Sequence, residues 1–92
     1  MSATGGETVL EASKVRYYSY NDEAAFFGWL DKIPCVTSYV GRGDTLYIEI
    51  DAAAVDDDNF IDLFAVFRRY GVDREQLRPL DPGRFASWFT SN

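Results

Sequence analysis

The chain contains no histidine. That removes the side chain most often used as a general base near neutral pH, and the commonest metal ligand. It holds a single cysteine, Cys35, which cannot close an internal disulfide and suits a reducing compartment. With no imidazole to take its proton, Cys35 reads as a buried thiol rather than a nucleophile. No apolar run approaches the ~18 residues of a membrane span. The opening M-S-A-T-G-G-E-T has neither the basic nor the apolar stretch of a secretory signal, so a cytoplasmic setting is expected.

Positive charge is scarce as well. Nine Lys and Arg face 15 Asp and Glu, a net charge of −6, which argues against nucleic acid as a partner. The aromatic strand signature of RNA-recognition modules is absent. So are a glycine-rich phosphate loop, a nucleophile elbow and a paired-metal spacing. The run Asp56-Asp57-Asp58-Asn59, with Asp62 beyond it, lacks the alternation and the glycine of a calcium loop, and reads as the acidic start of a helix. Arg42-Gly43-Asp44 reads as a hairpin loop. No catalytic residue, cofactor-binding residue or metal ligand is assigned.

What is present is a core. Ninety-two residues, 47% hydrophobic and 16% aromatic, make one folded domain. The strongest signal runs from Val55 to Gly71. At 100° per residue Phe60, Leu63, Phe64, Phe67 and Tyr70 share one side, and Asp58, Asp62, Ala65 and Arg69 form a narrow opposite strip. Asp56 is the expected N-cap and Gly71 the left-handed residue that ends the helix.

Residues 1–12 read as a mobile tail, and 13–92 as the domain. Lys14 to Tyr20 is rich in aromatic and β-branched residues and predicts the first strand. A helix follows, capped at Asn21 and stopped by Pro34, with Gly28 inside it as a candidate point of close backbone approach. Cys35 to Val40 and Thr45 to Ile50 predict a hairpin. Matching its aliphatic faces requires Val40 opposite Leu46, and an odd loop or a bulge. Asp73 with Gln76 predicts a capping box, and Asp81-Pro82 opens a last helical piece over 83–89 bearing Phe85, Trp88 and Phe89. The expectation is an α+β fold, a split β-α-β-β-α with a three-stranded sheet. Its third strand lies in the centre, its two helices pack on one face, and a short helical tail ends it.

Two surfaces stand out. On this reading the sheet face away from the helices carries Arg16, Tyr18, Tyr20, Tyr39 and Tyr47, covered either by the aromatic tail or by a partner. Charge is also uneven: residues 1–62 hold 12 acidic and 4 basic side chains, whereas 63–92 hold 3 and 5, among them Arg68, Arg69, Arg74 and Arg78.

The words F-F-G-W-L-D-K-I-P-C-V, G-R-G-D-T-L-Y-I-E-I and L-F-A-V-F-R-R-Y-G-V-D resemble a family of small bacterial proteins with no assigned activity, over residues 15–80. The resemblance implies a bacterial cytoplasmic chain and brings no functional residue with it. The functional expectation is therefore a non-enzymatic protein-interaction module. Its partner is another protein or a second copy, with neither nucleic acid nor membrane involved. One alternative is an acidic inhibitor or immunity-type protein that meets a basic enzyme through Asp56, Asp57, Asp58 and Asp62. A second is a small-molecule site or an enzyme built on carboxylates.

Overall fold

The computed structural model describes residues 7–90. Strand β1 (Glu7–Ser13), helix α1 (Tyr20–Asp31), strands β2 (Val36–Arg42) and β3 (Thr45–Asp51), helix α2 (Asp57–Tyr70) and helix α3 (Ala86–Thr90) follow one another. Short 3₁₀ segments lie at Ala52–Ala54 and Arg74–Leu80. The sheet is antiparallel in the order β1-β3-β2. The arrangement is the α+β split β-α-β-β-α expected, with the third strand central, the long helices on one face and a short C-terminal helix.

The core lies between that face and the helices. Leu10 and Ala12 of β1 and Leu46, Ile48 and Ile50 of β3 point inward. They meet Phe26 and Leu30 of α1 and Phe60, Leu63, Val66 and Phe67 of α2 in one buried cluster. Helix α2 begins and ends where its sequence predicts. Asp56 accepts the Asn59 N–H, Asp57 and Asp58 fill the first turn, and Gly71 at φ 71° closes the last. The buried Val72 N–H then returns to the Phe67 carbonyl, so the chain turns back onto the core.

Three expectations need correction. The first strand is Glu7–Ser13, not Lys14–Tyr20, so the expected tail of residues 1–12 contributes a strand from Glu7 onward; residues 1–6 lie outside the described chain. The register explains why. Thr8, Leu10 and Ala12 stand opposite Ile50, Ile48 and Leu46, completing an apolar layer. Lys14 takes a left-handed conformation (φ 55°) that ends the strand. The tyrosine-rich segment after it runs across to α1, whose cap is Ser19 rather than Asn21.

Second, the hairpin closes through a two-residue loop, Gly43-Asp44, because Arg42 pairs with Thr45. Gly43 at φ 62° supplies the positive φ that such turns need in their first position. The register shift lies instead at Thr37, whose hydroxyl donates to the Glu49 carbonyl. Tyr39 therefore stands opposite Ile48 on the helix side, while Ser38 and Val40 turn outward.

Third, the aromatic tail does not cover the outer sheet face. Its helix starts at Ala86 rather than Gly83, and its rings pack on Phe60 and Phe64 of α2.

Candidate functional site

Helix α2 buries two surfaces, and the second creates the candidate site. After the 3₁₀ segment the carboxylate of Asp81 accepts the N–H groups of Gly83, Arg84 and Phe85 and bends the chain back. Burial acts to raise this carboxyl, but the three donors bring it below the usual carboxylate range. Phe85 then stacks on Phe60 with centroids 4.7 Å apart. Trp88 meets Phe64 edge-on at 4.9 Å, and Phe89 does so at 5.6 Å. Arg84 reaches the Asp57 carboxylate at 2.9 Å and ties the tail to the first turn of α2.

Between the outer ridge of α2, the 3₁₀ segment and α3 lies an open groove of ≈ 1160 Å³. Ile61, Phe64, Trp88 and Phe89 supply apolar walls, and Arg68, Arg69 and Arg74 supply positive charge. Trp88 remains 38% exposed. The Arg74 guanidinium lies 5.5 Å from the centroid of the Phe64 ring, and that of Arg69 lies 5.6 Å from the centroid of Tyr70. The one carboxylate of the lining, Glu75, is taken by Arg78, whose Nε lies 3.0 Å from it. Among the described residues Arg68, Arg69 and Arg74 have no carboxylate partner. In a chain of net charge −6, the groove is therefore a local positive site with aromatic walls.

The residues named from sequence fall in several places. Arg68 and Arg69 line the groove. Arg16 and Tyr18 lie between β1 and α1 and Tyr20 opens α1, so none of the three is on the sheet. Tyr18 and Tyr20 are 83% and 80% exposed. Tyr47 alone of the set occupies the outer face, beside Val40 and Glu11. Tyr39 packs at 5.3 Å on Phe27, and its hydroxyl donates to Asp31 at 2.7 Å, a bond that raises its pKa. The single tyrosine-bearing face read from the sequence is thus not assembled. Its premises were a first strand over Lys14–Tyr20 and Val40 opposite Leu46, whereas β1 is Glu7–Ser13 and Gly41 stands opposite Leu46.

The acidic set is partly engaged. Asp56 is held below the usual carboxylate range, first by the Asn59 side chain and then by the Asn59 N–H. Asp57 is paired with Arg84. Asn59, which the sequence suggests only as part of the acidic helix start, is 6% exposed and joins two elements. It donates to Asp56 at 2.7 Å and accepts the Cys35 N–H at 2.8 Å. Its signal was a polar residue on the inner side of an otherwise apolar stripe. The Cys35 thiol is buried, and burial pushes its pKa up to about 11. Among the described residues no three His, Cys, Asp or Glu side chains group as metal ligands. No helix among them is long and apolar enough to cross a membrane.

No protein family, curated protein or solved structure matches the chain.

Proposed function

We propose that the protein is a non-enzymatic interaction module that receives an acidic, aromatic-bearing segment of a protein partner in the α2–α3 groove. One observation carries the reading: three arginines without carboxylate partners among the described residues line one groove with an exposed tryptophan in a strongly acidic chain. Acidic side chains would meet Arg68, Arg69 and Arg74, and an apolar side chain would lie against Trp88 and Ile61. The buried thiol fits a reducing compartment, and a cytoplasmic setting belongs to the same proposal.

The test is a titration of the full chain with a decapeptide rich in Asp and Glu and bearing one Phe, followed by NMR. The Trp88 indole and Ile61 methyl signals should shift while Trp29 does not, and affinity should fall as salt rises. Charge-reversed peptide should leave all signals in place. Binding unchanged in an Arg68→Ala, Arg74→Ala variant would sink the proposal. The inhibitor reading has less support, since Asp56 and Asp57 are already committed within the fold.

A further inference from the structure

The two edges of the sheet are treated differently. On β1 the backbone at Glu11 faces away from β3, and the Gln76 side chain meets both groups: its Oε1 accepts the Glu11 N–H at 2.7 Å and its Nε2 donates to the Glu11 carbonyl at 2.8 Å. That edge is clamped at Glu11. Among the described residues strand β2 pairs only with β3. A two-residue turn makes Arg42–Thr45 the first hydrogen-bonded pair, so Val40–Tyr47 and Ser38–Glu49 are bonded in alternation. Tyr39 and Gly41 consequently turn their N–H and C=O outward. The outward backbone of Glu11, opposite Tyr47, confirms this phase from the other strand.

We propose that this edge pairs with the same edge of a second copy, antiparallel about a two-fold axis at Val40, giving a continuous six-stranded sheet. Three features of the strand are self-complementary in that register. Tyr39 of each copy would exchange two backbone hydrogen bonds with Gly41 of the other. Nothing lies within 4 Å of where a Gly41 Cβ would stand, so the Tyr39 ring meets an open cross-strand position. On the outer face Val40, 48% exposed, meets its own symmetry mate, flanked on each side by Tyr47. Arg42 falls opposite Ser38 of the second copy, whose hydroxyl already donates to Glu49 at 2.9 Å, so each Arg42 would reach the other copy's Glu49. Among the described residues the outer face is otherwise acidic at Glu11, Glu49 and Asp51, and Arg42 is its one basic side chain. Edge pairing of this length covers less than the ~1,200 Å² of a standard interface, so the dimer should dissociate on dilution.

Sedimentation of the full chain over a concentration series tests this. A mass rising towards twice 10.4 kDa is expected. Arg42→Glu and Glu49→Arg alone should each weaken the dimer tenfold or more, and together restore it. Gly41→Pro, which removes an outward N–H, should yield a folded monomer by circular dichroism. Arg68→Ala with Arg74→Ala should leave the mass unchanged, which separates this surface from the groove. A monomer at every concentration would overturn the proposal. So would a dimer indifferent to Gly41→Pro, or a charge swap without restoration.

Discussion

Replacing Gly28 with alanine should stabilise the protein. Gly28 lies in the middle of α1, where glycine is about 1 kcal/mol less favourable than alanine because its backbone loses more freedom on folding. The sequence suggests a compensating reason for the residue, a close approach of another backbone. The structure removes that reason: an added Cβ would meet nothing within 4 Å. With no clash to offset the gain, the expected stabilisation is the full ~1 kcal/mol. For a domain of this size that is a rise of about 4–8 °C in Tm. In urea, with m near 1–3 kcal/mol/M for small proteins, the midpoint should move up by roughly 0.3–1 M at constant m. Unfolding followed by tryptophan fluorescence and by circular dichroism would supply both numbers. A neutral or destabilising result would refute the reasoning. It would show that the Gly28 face of α1 is occupied, by another part of the chain or by a partner.

Asn59→Ala should cost about 2–3 kcal/mol in the same urea experiment, because the buried Cys35 N–H loses its acceptor and Asp56 loses a donor; a change under about 0.5 kcal/mol would contradict the role given to Asn59. The Cys35 thiol has a folded pKa near 11, above the unfolded value of about 8.5. Its contribution is therefore fully present below about pH 8.5 and lost as pH rises towards 11. Wild type should weaken across that window more than Cys35→Ala, and parallel curves would count against a buried thiol.

The parts of the fold that were legible in the sequence are those fixed by local chemistry. Helix α2 announces itself through Asp56, the acidic first turn, the apolar stripe and Gly71, all close in sequence. The central place of β3 follows from a short hairpin and one crossover. What escaped depends on long-range pairing. Lys14–Tyr20 has the better strand composition, yet Glu7–Ser13 forms the strand because its alternate residues complete the layer over Ile48 and Ile50. One extra residue at Thr37 moved Tyr39 from the outer face to the helix side, and the shift of the first strand to Glu7–Ser13 took Tyr18 and Tyr20 off the sheet. For the site, the basic cluster at Arg68, Arg69 and Arg74 was legible from charge counts, but its aromatic wall was not. Phe85, Trp88 and Phe89 suit any apolar surface, and the breadth of the α2 stripe was the sole hint that the helix is covered from both sides.

The Gln76 clamp on β1 has a consequence for the order of events at the ribosome. Strand β1 is made first, but its partner β3 is complete only at Asp51, and the side chain that clamps β1 at Glu11 arrives at position 76. At a synthesis rate of about 5–20 residues per second, the 25 residues from Asp51 to Gln76 take roughly 1–5 s. During that interval any pairing of β1 with β3 lacks the clamp at Glu11. Arrival of Gln76 clamps β1 at Glu11, a restraint that β2 lacks among the described residues.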